Sequence, residues 1–383
     1  MNQSLINKVK QNFTTRFTTN PLLIFSPGRI NIIGEHTDYN DGFVFPAAVN
    51  KGIVAAFEKS DSNTSSAHAI DFDETIKFST DDISPLEKEH WGNYVLGVIA
   101  EIKKKKGDVG NFNVVFSGNI PAGSGMSSSA ALENSIAFGL NSLFNLGLTK
   151  QEMILISQQA EHNYVGVKCG IMDQYASMFG IKDHALLLDC RSVEAKPFKI
   201  DFEDYELMLI NTNVKHSLSD SAYNDRRSVC ESISEMLNIK ALRDATEADL
   251  ETIKDKVSEE NYQKALFVIQ ENQRAEQASK AMTDGDLKTL GELIYGSHNG
   301  LQHQYKVSCD ELDYLVDQSK ENDQILGARM MGGGFGGCTI NLIAKSAVSD
   351  FKTKISKNYK NKFGKDCSIY SVELSDGTGL ITE

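Results

Sequence analysis

Gly118 to Glu133 reads GNIPAGSGMSSSAALE, and no other stretch limits the possible folds as strongly. It follows an alternating run, NFNVVFSG, that reads as a strand, and it leads into a helix expected over about residues 127–144. Gly123 and Gly125 carry no Cβ, so the backbone there can approach a ligand closely. Pro121 stiffens the approach. Ser127, Ser128 and Ser129 place hydroxyls and N–H groups at a helix start, where the dipole favours negative charge. The pattern fits an anion held by backbone amides. A serine-capped helix after a flexible loop would read the same way. The stretch contains no lysine, so it is not the phosphate loop that ends in Gly-Lys-Ser/Thr. GSGMSS also lacks a third glycine, and no ribose-binding acid follows at the expected distance, which disfavours a Rossmann oxidoreductase.

Two further stretches are candidates for chemistry. SPGRINIIGEHTDYNDGFVFP, Ser26 to Pro46, sets Arg29, Glu35, His36, Asp38 and Asp41 between apolar segments. Charges packed this densely beside strands are costly to bury unless they meet a polar ligand, and carboxylates are good acceptors for sugar hydroxyls. A solvent-exposed loop explains Asn40, Asp41 and Gly42, which are ordinary turn residues, but explains Glu35 to Asp38 less well. MMGGGFGGC, Met330 to Cys338, has five glycines among positions 332 to 337. Such a run costs chain entropy on folding, and so points to close backbone packing or to a tight strand-to-strand turn. Two isolated acids lie between these stretches. Glu161 falls near the end of a helix opened by a Thr149/Glu152 capping box, and Asp173 sits in CGIMDQY, on a short helix. A carboxylate beside serine hydroxyls suits Mg²⁺, which prefers oxygen ligands and phosphate. His162 and His216 show no metal-ligand spacing, and Trp91 fits either a core or an adenine pocket.

The 383 residues suggest two or three domains. The net charge of −13 disfavours a nucleic-acid or anionic-membrane surface. The lysine run 103–106 then reads as a solvated helix end. Six cysteines without a CxxC pair fit a reducing cytoplasm. The opening MNQSLINKVKQNF reads as an amphipathic helix rather than a signal peptide, and no run approaches the ~18 apolar residues of a membrane span. The first half alternates strands and helices. Long helices dominate from about Ser219, Ser308 and Glu311 suggest another capping box, and SIYSVELS reads as a last strand. The composition changes softly near residues 200–215, where a domain boundary is expected.

In order and separation, the three stretches resemble the kinase superfamily named for galactokinase, homoserine, mevalonate and phosphomevalonate kinases. GRINIIGEHTDYNDGFVFPAA is similar to the signature of the galactokinase family within it, as are AEHNYVGVKCGIMDQYASMFG, LLLDCRS and SAYNDRRSVC. The resemblance runs from near residue 20 to near residue 375. It implies an α+β fold of two domains with the active site in the cleft between them. Residues 1–205 would form a domain resembling part of ribosomal protein S5, and 206–383 a ferredoxin-like domain.

The same resemblance implies transfer of the γ-phosphate of ATP to the C1 hydroxyl of α-D-galactose, with Mg²⁺, in a cytoplasmic monomer. Gly123, Ser124, Gly125, Met126, Ser127, Ser128 and Ser129 would wrap the ATP phosphates, and Trp91 would line the adenine pocket. Ser129 and Glu161 would hold the metal. Arg29, Glu35, His36, Thr37, Asp38, Gly170, Asp173 and Tyr223 would hold the sugar. Asp173 matches the residue usually assigned as base, with Arg29 as its cationic neighbour. That pairing favours an ionised carboxylate and weakens a base, so orientation and charge would matter more than proton removal. The sequence departs from the family at Met126, at Ser124, and at Ala69 and Asp71, where relatives often carry serine and asparagine. Rival readings are a kinase for N-acetylgalactosamine or arabinose, and a sugar sensor without useful catalysis.

Overall fold

The computed structural model describes residues 2–17, 20–87, 90–107, 109–214 and 219–382. The first half begins with helix α1 (Gln3–Arg16), then strands β1 (Leu22–Asn31), β2 (Phe43–Val44), β3 (Pro46–Lys59), β4 (Ser65–Ala69) and β5 (Glu74–Phe78). Helix α2 (Gly92–Lys106), strand β6 (Phe112–Gly118) and helices α3 (Ser128–Phe144), α4 (Lys150–Ala160) and α5 (Met172–Phe179) follow. Strands β7 (His184–Asp189), β8 (Glu194–Lys199) and β9 (Tyr205–Asn211) come next. The remainder is α6 (Ser219–Met236), α7 (Glu247–Glu251), α8 (Glu259–Asp284), α9 (Leu287–His303) and α10 (Asp310–Lys320), then β10 (Ile325–Met330), β11 (Cys338–Ala344), α11 (Val348–Phe363), β12 (Ser368–Ser371) and β13 (Gly379–Leu380).

Side-chain alternation explains the layers. Along β1, β3 and β6, Leu23, Phe25, Val54, Ala56 and Val115 face α1, which covers them with Leu5, Val9 and Phe13. Their neighbours Ile24, Ile53, Ala55, Phe57, Val114 and Phe116 face the opposite way, into a core shared with α2, α3, α4 and α5. The six-stranded sheet β13-β1-β3-β6-β4-β5 is therefore covered on both faces. Its one parallel pairing is β4 with β6. A four-stranded sheet, β10-β11-β9-β12, repeats the logic. Met208 and Ile210 of β9 meet Phe351, Ile355 and Tyr359 of α11, while Leu207 and Leu209 face a core with Ile30, Ile32, Ile33, Phe45 and Met126. That last core joins the two halves of the chain directly beneath the residues of interest.

Two local expectations are corrected. Ser308 does not cap α10. Cys309 is the N-cap, without a side-chain bond, and the Ser308 hydroxyl donates to Asp313 instead. SIYSVELS is not the last strand either, because the chain returns to the first sheet, where β13 pairs with β1. The lysine run behaves as a solvated helix end. Lys104 pairs with Glu101 at 2.6 Å and Lys105 with Glu152 at 3.2 Å.

Candidate active site

Arg29 reaches its position through a bulge in β1, where pairing with β3 shifts between Pro27 and Arg29. Its N–H donates to the Met126 carbonyl at 3.0 Å, which ties β1 to the glycine–serine stretch. Its guanidinium makes a two-point pair with Asp173, Nε to Oδ1 and Nη2 to Oδ2, both at 2.8 Å, and Nη1 donates to the Gly125 carbonyl. Burial works against its charge, but Asp173 and Glu35 outweigh burial and hold its pKa above the ordinary value.

Beyond β1 the chain turns sharply and buries four polar side chains, Glu35 to Asp38. Glu35 pairs with the fully buried Arg329 at 2.6 Å. His36 sits at φ +62° with Nδ1 2.9 Å from the Tyr39 hydroxyl, and its ring packs against Tyr223 and Tyr305. Burial, then the cation of Arg226, pushes its pKa down to about 3, so the ring is neutral. Asp38 is pushed up to about 7, first by burial and then by the charges of Asp173 and Glu35. The Thr37 hydroxyl donates to the carbonyls of Gly34, at 2.9 Å, and Phe43, at 2.7 Å, and so closes the turn.

Gly170 and Asp173 enter ahead of and on α5. A Cβ at Gly170 would lie 2.1 Å from Asp38 Oδ2, so only glycine lets these two segments meet. Glu161 opens a wide turn at the end of α4, residues Glu161–Val165. Its Oε2 accepts from Gln174 at 2.9 Å and from the Cys169 thiol at 3.5 Å. Gln174 also donates to Glu133 at 3.2 Å. Arg29, Glu35, His36, Asp38, Glu161, Cys169, Asp173 and Tyr223 thus line one cavity of about 120 Å³, closed on one side by Gly332 and Gly333.

A second hollow of about 150 Å³ shares Gly333 and is lined by Gly123, Gly125, Gly334, Gly336 and Gly337. Here the two glycine-rich stretches touch. A Cβ at Gly125 would lie 2.9 Å from the Met331 carbonyl oxygen, and one at Gly337 would lie 3.4 Å from that of Gly123. Ser127 precedes α3 at φ +55°, so its hydroxyl does not cap the helix. The Ser124 and Ser127 hydroxyls are buried without a hydrogen-bond partner.

Several expected residues line neither hollow, among them Thr37, Gly170, Ser124, Ser127 and Ser128. Met126 is fully buried in the core between the halves. The Trp91 indole donates to Glu74 at 2.6 Å and packs edge-on against Phe116, lining neither hollow. Ser129, the second residue of α3, also lines neither. Asp71, one of the departures, accepts from Lys8, Ser117 and the Gly118 N–H. His162 meets the Cys169 carbonyl at 2.8 Å, and His216 lies outside the described residues. Two residues escaped the sequence reading. Arg329 carried a signal, a single charge within the apolar run ILGARMM, but the fully buried Glu271 of α8 carried none.

The fold and the paired hollows define a kinase of the two-domain α+β class, with a glycine-lined hollow beside an acid-lined cavity. Comparison agrees. Residues 93–181 match the GHMP kinases N terminal domain and 277–361 the GHMP kinases C terminal region. The solved mevalonate kinase of Methanococcus jannaschii, 16% identical with a TM-score of 0.66 over 94% of this chain and all of that one, shares the fold. Residues 11–59 match the galactokinase galactose-binding signature. The galactokinase of Thermotoga petrophila is 42% identical over 93% of this chain and 99% of its own length. That of Clostridium acetobutylicum is 40% identical over 98% and 99%. The crystal structure of Lactococcus lactis galactokinase complexed with galactose superposes with a TM-score of 0.94 at 33% identity, covering 98% of this chain and all of that one. The chain belongs to the galactokinase family.

Proposed function

We propose that this chain transfers the γ-phosphoryl group of ATP to the C1 hydroxyl of α-D-galactose, giving galactose 1-phosphate and ADP. The observation that carries the reading is the Arg29–Asp173 pair, which stands in one cavity with Glu35, His36, Asp38 and Tyr223 and next to the glycine-lined hollow. Phosphoryl transfer to a hydroxyl depends mainly on positioning and charge stabilisation. Asp173 orients the sugar's C1 hydroxyl and accepts its proton late. Arg29 bridges Asp173 and the Gly125 carbonyl, so its charge lies where the transferred group must pass. The neutral His36 ring and the carboxyl of Asp38 present hydrogen-bonding groups to the remaining sugar hydroxyls, with Asp38 reading the axial 4-hydroxyl. Glu35 and Tyr223 complete the wall, and Thr37 and Gly170 hold its shape.

The amides and hydroxyls from Gly123 to Ser129 cradle the triphosphate, and the unpartnered Ser124 and Ser127 hydroxyls support this. Mg²⁺ would be held by Ser129 and Glu161. The buried Glu161 carboxylate beside the cavity suits a cation that takes few protein oxygens and keeps phosphate and water. When bound, the ion would neutralise phosphate charge in place of a loop lysine. Trp91 is assigned to the edge of the adenine site. We place the domain boundary at residue 205, where β9 begins, and expect a cytoplasmic monomer. No helix among the described residues is long and apolar enough to cross a membrane.

A panel of sugars with Mg-ATP tests the reading, with ADP release and the position of the new phosphate as readouts. The expected result is phosphorylation of galactose at C1. Phosphate at another carbon, a preference for N-acetylgalactosamine or arabinose, or sugar binding without ADP release would overturn it.

A further inference from the structure

Residues 31–38 run as buried backbone that leaves the β1 ladder at Asn31. Buried backbone outside a ladder has no neighbouring strand and little water, so each N–H needs an acceptor from elsewhere. Gly34 turns the chain at φ +88°, and a Cβ there would lie 2.6 Å from the Phe43 carbonyl oxygen. The N–H groups of Gly34 and Glu35 then converge on one atom, Oε1 of Glu271 on α8, at 3.0 and 3.1 Å. The Ser297 hydroxyl of α9 donates to the same oxygen at 2.7 Å, and Arg274 Nε donates to Oε2 at 2.7 Å.

Glu271 is fully buried. Burial alone would discourage its charge, but Arg274 and Arg329 outweigh it and hold the carboxyl below the ordinary range. The residue type follows from the donors. Four hydrogen bonds arrive and none leaves, which suits a carboxylate, whereas a glutamine would turn an NH₂ group toward one of these donors.

Neighbouring groups from the C-terminal half hold the same segment. Arg329 Nη1 grips the Glu35 side chain at 2.6 Å, and its Nε and Nη2 donate to the carbonyls of Ile32 and Asn31. Asn272, adjacent to Glu271, accepts from the Phe43 N–H at 2.8 Å. None of these bonds involves Gly123 to Ser129 or the glycines 332–337.

We infer that Glu271 is a positioning residue for sugar recognition, its carboxylate fixing the Gly34–Glu35 backbone and through it the aim of Glu35 and His36 into the cavity. The inference rests on reading that cavity as the sugar site. The C-terminal half would thereby tune sugar affinity through groups that never touch the sugar.

The test uses the full chain with Glu271→Gln and, separately, Ser297→Ala. The readouts are KM for galactose and for ATP, galactose binding by calorimetry without nucleotide, and melting temperature. Glu271→Gln should raise both the galactose KM and the galactose Kd ~10-fold or more, because a hydrogen bond to a buried charge is lost, while ATP KM stays within about twofold. Ser297→Ala removes one of the donors that fix the carboxylate and should act in the same direction by about threefold. Unchanged galactose constants overturn the inference. So does a loss of affinity for both substrates in step with the melting temperature, since that is what a purely structural role predicts. If Glu271→Gln does not fold, Ser297→Ala decides on the same criteria. Failure of the underlying reading looks different, because the unmodified chain would then bind no galactose in the calorimeter, and both claims would fall.

Discussion

Arg29 and Asp173 lie 144 positions apart in sequence and meet through two hydrogen bonds of 2.8 Å. The pair joins strand β1 to helix α5 and faces the cavity between the two halves of the chain. An acid held by two bonds to a guanidinium is a well-fixed acceptor. That geometry suits a reaction in which the nucleophile's proton leaves late. Asp173→Asn keeps the shape but removes the charge and turns one acceptor oxygen into an NH₂ donor. Turnover should fall by roughly 10²-fold or more, with galactose binding retained within a few-fold. Rapid-quench turnover together with calorimetry separates the two quantities, and near-normal turnover would remove Asp173 from its role.

Asp38 gives a pH signature. Its pKa in the fold is about 7, because burial and then the charges of Asp173 and Glu35 discourage ionisation, against 3.8 ordinarily. Between those values the folded chain holds a proton that the unfolded chain has released. The fold then binds more protons, so this group's contribution to stability falls as pH rises from about 4 to about 7 and stays level above that. Asp38→Asn removes the dependence. Without sugar, the variant should be more stable than the parent at pH 8, by on the order of 4 kcal/mol, with the gap shrinking steadily toward pH 4. Melting curves across that range check the sign. A gap that widens on acidification would exclude a raised pKa for Asp38.

Gly170 supplies a steric test of the same carboxylate. An added Cβ would fall 2.1 Å from Asp38 Oδ2 and 2.2 Å from its Cγ, so Gly170→Ala must displace Asp38 or the loop before α5. Galactose KM should rise by ~10-fold or more, and preference over glucose should fall, since a misplaced acceptor leaves the axial hydroxyl unpaired. ATP KM should change little, because the glycine-lined hollow does not include Gly170. Selectivity equal to that of the parent would show that Asp38 does not read the sugar's epimer.

The sequence made the N-terminal side of the site legible because its signals are local. The motif Glu35 to Asp38, the glycines 123 and 125, and Asp173 on a short helix each stand out from their neighbours. The alternation of NFNVVFSG made β6 equally plain, whereas β1 and β3 carry apolar residues on both faces, which only packing against α1 on one side and α2–α5 on the other tells apart. What stayed hidden depends on tertiary meeting. Glu271 sits in α8 among Gln, Glu, Asn and Arg, and only packing shows that it faces inward. Ser308 satisfied a capping pattern, yet instead of accepting from the helix N–H groups its hydroxyl donates to Asp313. Gly379–Leu380 is too short for periodicity to mark as a strand, and only its pairing with Ile24 and Phe25 makes it one.

Glu133 and Glu161 offer the sharpest contrast between two acids in the same place. Gln174 donates to both, at 3.2 and 2.9 Å, so one amide spans two carboxyl groups beneath the cavity. Two charges there would repel each other in a medium that screens poorly. Glu133 is fully buried, and burial followed by the charge of Glu161 pushes its pKa well above the ordinary value. Of the two, only Glu161 lines the cavity, where the proposed metal would sit. Replacing each by glutamine should therefore give unlike results. Glu161→Gln should raise the Mg²⁺ concentration needed for half-maximal turnover by ~10-fold or more, since a charged oxygen ligand is lost. Glu133→Gln keeps the shape of a side chain that does not line the cavity and should leave that concentration within about twofold. A magnesium titration of turnover at saturating ATP and galactose decides the matter. Equal shifts in the two variants would mean that both acids serve the metal, and the division of labour drawn from their placement would be wrong.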